Sequence, residues 1–281
     1  MAYPDVPIWL ELARLGRDFA WSGARCLFPQ QARSGVARYC LFMGAPRNGH
    51  SLVGSMLDAH RNVVMAHELG VPKYLLAHFS VRQLQLLLIA NARRHAASGR
   101  RHIHYSHAIR GQWQGRYEDL RVIGDKHGEG FLLSVRARPW LAHALIERLD
   151  PLYLIHVIRN PFDAIASVAG TGKRNKSPEQ VIGYFDRLYE TLTRVQEQLP
   201  PGRLHEVRFE DLQSHPREQL GMVCRFLDVD PTADYLDACA SIVLRELPDR
   251  RNQVHWDDSS RQRVEALIRK YPFLSGYAYE D

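Results

Sequence analysis

Residues 39–51, YCLFMGAPRNGHS, constrain the fold of this chain more than any other stretch. The apolar run Tyr39–Met43 predicts a buried strand, and Gly44 and Gly49 let the backbone turn tightly and approach a ligand closely. Ser51 then begins the apolar pattern of a helix. N–H groups at a helix N-terminus attract an anion. The stretch therefore predicts a strand, a phosphate-binding loop and a helix, although an ordinary tight βα turn would use the same glycines.

The spacing of this loop nearly matches the nucleoside-triphosphatase pattern G-x-x-x-x-G-K-[ST], except that His50 stands at the lysine position. That lysine normally reaches the outer phosphates, so its absence disfavours a P-loop kinase. Arg47, inside the loop, offers a rigid fork of donors that suits a phosphate which is not itself transferred.

Short β-like runs alternate with longer helical patterns along the chain, which predicts an α/β fold: a P-loop-like parallel β-sheet flanked by helices. Further strands are predicted at residues 63–66, 120–124, 152–158 and 204–209. Helices are predicted at residues 81–97, 131–149, 181–199, 216–227 and 260–271. Residues 1–38 predict an N-terminal helical extension packed on one domain, residues 39–281; a membrane surface or a partner would also suit its apolar pattern.

Composition and residue spacing disfavour integral membrane proteins, nucleic-acid-binding proteins and metalloproteins. No apolar run reaches the roughly 18 residues that span a bilayer, so we expect no integral membrane segment and a cytoplasmic chain with reduced cysteines. A net charge of +6 favours anionic partners. The arginines are spread along the chain without interleaved aromatic residues, so we expect no nucleic acid. The 14 histidines are dispersed without the spacing of zinc ligands, and no metal is predicted.

The carboxyl ends of the predicted strands are where chemistry is expected, because ligands bind at that edge of a parallel sheet. Arg159 follows strand 152–158, and the next helix carries Asp163 and Ser167. This arrangement predicts a second anion site, with a salt-bridged arginine beside a helix cap as the equal alternative.

Two other strand ends carry residues that can exchange protons or bear charge. Asp125 and Lys126 follow one strand, and His67 and Glu68 follow another. His67 or Glu68 could accept a proton, whereas a partly buried imidazole and a carboxylate paired with an arginine are the structural alternatives.

In order and spacing, these residues resemble the sulfotransferases that use 3′-phosphoadenosine 5′-phosphosulfate (PAPS), particularly the branch of protein-tyrosine sulfotransferases and related bacterial enzymes. Residues 44–60, GAPRNGHSLVGSMLDAH, resemble the family's 5′-phosphosulfate loop and following helix. Residues 157–167, VIRNPFDAIAS, are similar to its 3′-phosphate motif, an arginine followed eight positions later by a serine. Residues 207–229 resemble its segment with E-D-L, a proline and a final F-L. The resemblance covers most of residues 39–230 and implies the sulfotransferase fold.

The resemblance also implies roles for individual residues. It places binding of the 5′-phosphate on Arg47, Gly49 and Ser51, with Asn48 and His50 in the same cofactor-binding loop, and binding of the 3′-phosphate on Arg159 and Ser167. It places catalysis on Glu68 as the base, and on Lys126 and Arg47, which would stabilise charge on the sulfuryl group and the leaving phosphate. Asn48 and His50 stand where the family usually has hydroxyl residues, and His127 and Gly128 replace the usual pair after the lysine.

The implied reaction transfers a sulfuryl group from PAPS to a hydroxyl or amine of a small-molecule, glycan or peptide acceptor and releases 3′,5′-adenosine bisphosphate (PAP). Such a base is expected to have a pKa raised by partial burial. Residues 70–120 are expected to wall the acceptor pocket, and Arg250 and Arg251 lie where related enzymes close a segment over the nucleotide. A catalytically inactive PAPS- or PAP-binding protein is the alternative function, and the acceptor and a homo-oligomeric state are left open.

Overall fold

One parallel sheet organises the protein, whose computed structural model describes residues 7–27, 35–99, 106–171, 177–244 and 250–280. Its strand order is β2-β3-β1-β4-β5. The strands are β1 Arg38–Met43, β2 Val63–Ala66, β3 Val122–Asp125, β4 Leu152–Ile158 and β5 Leu204–Arg208. All four neighbouring pairs are parallel, so the carboxyl ends of the strands meet at one edge.

Helices connect and cover the strands. They are α1 Ile8–Cys26, α2 His50–Leu57, α3 Val71–Leu76, α4 Val81–Ala97, α5 Gly128–Ala137, α6 Trp140–Arg148, α7 Pro161–Thr171, α8 Pro178–Gln196, α9 Phe209–Ser214, α10 Pro216–Phe226, α11 Ala233–Ala240 and α12 Asp258–Lys270. The sequence prediction of a parallel sheet flanked by helices is confirmed.

The central strand β1 shows why the sheet is buried on both faces. Tyr39, Leu41 and Met43 belong to one hydrophobic cluster, and the alternate residues Cys40 and Phe42 belong to a second cluster. Successive side chains of a strand point to opposite faces, so a continuous apolar run needs a helical layer on each side.

The sequence prediction of one helix over residues 131–149 is wrong. The structure has two helices, because α5 ends at Ala137 and α6 begins at Trp140. Arg138 adopts φ −144° and ψ 84°, since the ring of the following Pro139 disfavours a helical conformation for the residue before it. The predicted bounds of β2 and β4 agree with the structure, and β3 begins two residues later than predicted.

Helix α1 lies against α4 and α3. The Gln83 amide donates to Ser22 Oγ over 3.3 Å, and the Tyr74 hydroxyl donates to Asp18 over 2.9 Å. The division of the chain at residue 38 stays a prediction. No helix in the described part of the chain combines the length and the apolar character needed to cross a bilayer.

Candidate active site

The loop between β1 and α2 presents backbone donors at the carboxyl edge of the sheet. Gly44 and Gly49 have φ angles of 146° and 99°, and Arg47 also lies in the left-handed region with φ 69°. Gly49 forms the N-cap of α2 and no side chain caps this helix end. The first N–H groups of an α-helix have no partner within the helix, so this end can receive an anion.

Asn48 and His50 turn their side chains into the protein rather than into the loop. The Asn48 amide donates to the Val157 carbonyl over 3.0 Å, which ties the loop to β4. His50 Nε2 lies 3.3 Å from the Met43 carbonyl, and because a carbonyl only accepts, this nitrogen carries the proton. A role of these two residues in cofactor binding is therefore limited to their backbone N–H groups.

His50 and Gly128, two residues that depart from the family pattern, are sterically complementary. A Cβ atom at Gly128 would lie 2.8 Å from His50 Nε2, and one at Gly44 would lie 2.6 Å from the same atom. The imidazole thus occupies the space beside both glycines. Burial, together with the nearby Lys126 ammonium, lowers the pKa of His50 to about 3. His50 is therefore neutral and part of the packing around the loop.

Lys126 connects the phosphate loop with Glu68. Its ammonium donates to Ser51 Oγ and to Glu68 Oε1, both over 2.8 Å. The Lys126 side chain is only 4% exposed, whereas that of Glu68 is 48% exposed. The stem of Lys126 crosses Gly54 of α2, where a Cβ atom would lie 2.6 Å from Lys126 Cγ. Gly54 therefore gives Lys126 the room to reach the loop.

The backbone of Glu68 is held in an unusual conformation by Asp125. Glu68 has a φ angle of 54°, a left-handed conformation that is uncommon for residues other than glycine. The Asp125 carboxylate accepts hydrogen bonds from the N–H groups of Leu69, Gly70 and Val71 over 3.0, 2.7 and 3.3 Å. Burial raises the pKa of Asp125, against the opposing effect of His127 and these backbone donors. Asp125 thus fixes the turn that carries Glu68.

The expectation that the pKa of Glu68 is raised is wrong. Burial does act in that direction, but the charge of Lys126, its hydrogen bond to the carboxylate, and His67 and His127 outweigh it and lower the pKa to about 2. An ammonium at hydrogen-bond distance stabilises the ionised carboxylate. Glu68 is therefore a paired carboxylate.

A second cationic cluster lies beside the loop because β4 is the neighbour of β1. Arg47 Nε donates to the buried Ser167 Oγ over 3.0 Å, and Arg159 Nη1 donates to the Arg47 carbonyl over 3.4 Å. The Arg159 guanidinium also lies 5.3 Å from the centre of the Phe209 ring. The three predicted ligands Arg47, Arg159 and Ser167 are thus brought together.

Asp163 and Arg251 complete this cluster. The sequence analysis placed Asp163 on the helix of the second anion site and Arg251 in a segment expected near the nucleotide, but it did not pair the two residues. Asp163 lies 3.9 Å from Arg159 Nη2 and accepts from Arg251 Nε and Nη2 over 3.2 and 3.0 Å. Arg159 precedes α7 and Asp163 lies in its first turn, so their spacing of four residues was a usable signal for their pairing. Arg251 comes from 88 residues further along the chain, and no local pattern could have predicted its partner.

The chain segment near the C-terminus supports the same region. Asn160 accepts from the Phe162 N–H over 3.0 Å, as a cap of α7, and its amide donates to the Ala278 carbonyl over 2.8 Å. Arg251 also donates to the Tyr279 carbonyl. The candidate 3′-phosphate site therefore depends on contacts that are distant in sequence.

His67, the alternative base, follows β2 and contacts helix α4. The His67 ring stacks on His95 of α4 with centroids 3.8 Å apart, and the backbone N–H of His67 donates to Asn91 Oδ1 over 2.7 Å. Of the expected acceptor wall at residues 70–120, residues 100–105 lie outside the described part of the chain.

Comparison with known proteins identifies the family. The sequence profile of the sulfotransferase family matches residues 41–234, which is more than two thirds of the chain. This match contains the loop, Glu68, Lys126, Arg159 and Ser167, while Arg251 lies beyond it. No curated protein sequence matches the chain significantly.

Solved structures share the fold at low sequence identity. A sulfotransferase domain of the Synechococcus olefin synthase aligns with a TM-score of 0.53 at 16% identity, over 85% of this chain and 96% of that domain. A sulfotransferase from Mycobacterium avium aligns with a TM-score of 0.54 at 12% identity, over 92% of this chain and 82% of the other. A sulfotransferase domain of the curacin biosynthetic pathway has a TM-score of 0.51 at 14% identity, over 84% and 96% of the two chains.

Proposed function

This chain belongs to the sulfotransferase family, and we propose that it transfers the sulfuryl group of PAPS to a hydroxyl or amine of an acceptor with Glu68 as the general base. The observation that carries the proposal is the position of the Lys126 ammonium, 2.8 Å from both Ser51 of the phosphate loop and Glu68. One cation thus links the residues expected to hold the donor with the residue expected to activate the acceptor.

The donor set of the site fits a nucleotide with two separate phosphate groups. The uncapped start of α2, with Ser51 and Lys126, forms one group of donors. Arg47, Arg159 and Ser167 form the other, in which a guanidinium can bind phosphate by two parallel hydrogen bonds. The 5′-phosphosulfate is assigned to the first group and the 3′-phosphate to the second, with Arg47 between them.

PAPS, when bound, supplies a sulfuryl group attached to a phosphate leaving group. Glu68 removes the proton of the acceptor as its oxygen or nitrogen forms a bond to sulfur, while the bond between sulfur and the phosphate oxygen breaks and PAP leaves. Lys126 and Arg47 neutralise the negative charge that develops on the sulfuryl and phosphate oxygens.

Because Glu68 is paired with Lys126, binding of PAPS can make Glu68 a stronger base. An anion on the phosphate loop competes with Glu68 for the Lys126 ammonium. Weakening of this ion pair raises the pKa of Glu68 above the value of about 2 in the free protein and makes the carboxylate a stronger base. Proton removal thus becomes efficient only when the donor is present.

Glu68 is a better candidate than His67 on the geometry of its side chain. The Glu68 carboxylate contacts Lys126 and is half-exposed, so an acceptor can reach it. The His67 ring is instead stacked on His95.

The proposal is tested by the variant Glu68→Gln, which keeps the size of the side chain and removes its charge. We expect transfer of radiolabelled sulfate from PAPS to fall to background, because the amide cannot accept the proton, while PAP binding measured by calorimetry stays close to that of the wild type. A matched control is Glu190→Gln, since the Glu190 side chain is also about half-exposed, at 46%, and is paired with an arginine, Arg194, at 2.7 Å. Wild-type turnover in Glu68→Gln would exclude Glu68 as the base.

The acceptor is identified with the same label. Incubation of the wild-type protein and Glu68→Gln with radiolabelled PAPS and a cell extract should label one set of products only with the wild type. An absence of product together with PAP binding would support a non-catalytic nucleotide-binding protein.

A further inference from the structure

Helix α1 attaches to the domain by a face that carries its acidic residues, with Leu15 packed on the main hydrophobic cluster and the Phe19 ring edge-on to Phe79 at 5.1 Å. Glu11 accepts from Lys73 Nζ over 3.0 Å, Asp18 accepts from the Tyr74 hydroxyl over 2.9 Å, and Ser22 is buried against Gln83. These three positions are spaced by seven and four residues, which places them on one side of a helix. The inward face of α1 is therefore the face that bears its two carboxylates.

The face of α1 that is turned to solvent is apolar. In the described part of the chain, six of the eight large hydrophobic residues with exposed side chains lie in α1 or at its C-cap: Ile8, Trp9, Leu12, Phe19, Trp21 and Leu27. Ile8, Trp9 and Leu12 are 78%, 65% and 62% exposed and share one side of the first two turns. An apolar patch of this kind on a protein surface marks a site that binds a membrane or another protein.

The most exposed charged residues of α1 are all arginines. Its charged residues are Glu11, Arg14, Arg17, Asp18 and Arg25. The two acidic side chains contact Lys73 and Tyr74 of the domain, whereas Arg14, Arg17 and Arg25 are exposed, with Arg17 lying 3.5 Å from Asp18 of the same helix. Arg25 lies over the exposed Trp21 ring, with 5.1 Å from its guanidinium carbon to the ring centroid. The helix thus shows solvent an apolar face with basic and aromatic edges.

We propose that α1 docks this protein on the surface of an anionic lipid bilayer. A helix with Trp, Phe and Leu on one face and arginines on the other lies in the plane of a membrane interface, where the apolar side chains enter the headgroup region. Its 19 residues extend about 28 Å along that plane. Each exposed arginine gains favourable energy near anionic lipid headgroups.

The charges favour lipid over a second copy of the chain as the occupant of this face. A dimer through α1 would bring together two sets of three exposed arginines on chains that each carry a net charge of +6. Like charges across an interface oppose association, whereas the negative charge of the bilayer complements them.

The inference is tested by flotation of the full chain with vesicles of pure phosphatidylcholine, or of phosphatidylcholine with phosphatidylglycerol. We expect the protein to float with the anionic vesicles and to be released by salt. The triple variant Ile8→Ser, Trp9→Ser, Leu12→Ser and the double variant Arg14→Gln, Arg17→Gln should each lower the partition coefficient by at least about tenfold. The attachment residues Glu11, Asp18 and Ser22 are unchanged in both variants, although Arg17 lies 3.5 Å from Asp18.

The matched control is Trp140→Ser, which removes a tryptophan of similar exposure, 60%, from the start of α6. It should float as the wild type does. Failure of the wild type to float, or equal flotation of the triple variant, overturns the inference. A dimer in light scattering that the triple variant converts to a monomer, without vesicle binding by the wild type, overturns it in favour of a second copy. Because flotation needs no PAPS, these outcomes are independent of the proposed reaction.

Discussion

The two halves of the candidate nucleotide site are built in different ways. The half at the loop, with Ser51, Lys126 and Glu68, depends on glycines that leave space: Gly54 beneath Lys126 and Gly128 beside His50. The half at Arg159 depends on charge balance, since Asp163 contacts both Arg159 and Arg251. The 3.0 Å hydrogen bond from Arg47 to Ser167 joins the two halves.

This difference matches the task proposed for each half. The loop half would handle the reacting group, where a displacement of about 1 Å can cost roughly a hundredfold in rate, so close packing around Lys126 is useful. The Arg159 half would only anchor the nucleotide, for which side chains held by ion pairs are sufficient. The comparison therefore predicts steric sensitivity on one side and sensitivity to charge on the other.

Among the variants that test this comparison, the largest effect on catalysis is expected for Gly54→Ala in the loop half. The new Cβ would lie 2.6 Å from Lys126 Cγ, so Lys126 must move from Ser51 and Glu68, and kcat should fall about a hundredfold. Alanine favours the helical conformation over glycine by about 1 kcal/mol. Helix propensity therefore gives no reason for the melting temperature to fall. Rate and thermal unfolding are measured on the same preparation.

Gly183→Ala is the control, because a Cβ atom at this position in α8 meets its nearest neighbour only at 3.6 Å. It should keep full activity. If Gly54→Ala were as active as Gly183→Ala, the packing of Lys126 over α2 would have no importance for catalysis.

Arg159→Ala tests the other half by removing charge. We expect PAP affinity to fall by about 1.5 to 3 kcal/mol, or roughly 10- to 150-fold, as for a hydrogen bond to a charged group. The variant should fold, because Arg251 still pairs with Asp163 at 3.0 Å. Calorimetry with PAP measures the loss, and Arg194→Ala, which removes an exposed arginine paired within α8, should leave affinity unchanged. Unaltered affinity in Arg159→Ala would contradict the assignment of the 3′-phosphate to this half.

The smallest effect concerns the fit of His50 to Gly128. Gly128→Ala should lower the free energy of unfolding by about 1 to 3 kcal/mol, because its Cβ would lie 2.8 Å from His50 Nε2. In the background of His50→Ser this loss should shrink by at least about 0.5 kcal/mol, since the imidazole is gone. A denaturant double-mutant cycle gives the coupling, and strictly additive losses would show that the two replacements are independent.

Local patterns were sufficient for most of the architecture. Apolar runs of strand length and their turn residues predicted β1, β2 and β4 closely, because a buried parallel strand is a continuous apolar segment. The break between α5 and α6 was missed although Pro139 marks it, since the apolar pattern continues on both sides of the proline.

The sequence by itself determined which residues follow the strand ends, since that depends only on neighbours along the chain. The tertiary structure decided that β1 lies between β3 and β4, so that Lys126 and Arg159 flank one loop. It also decided that Asn48 and His50 face inward, that Lys126 lowers the pKa of Glu68, and that Arg251 supports Asp163. These properties depend on side-chain directions and on charges brought together from distant positions, and a linear pattern records neither.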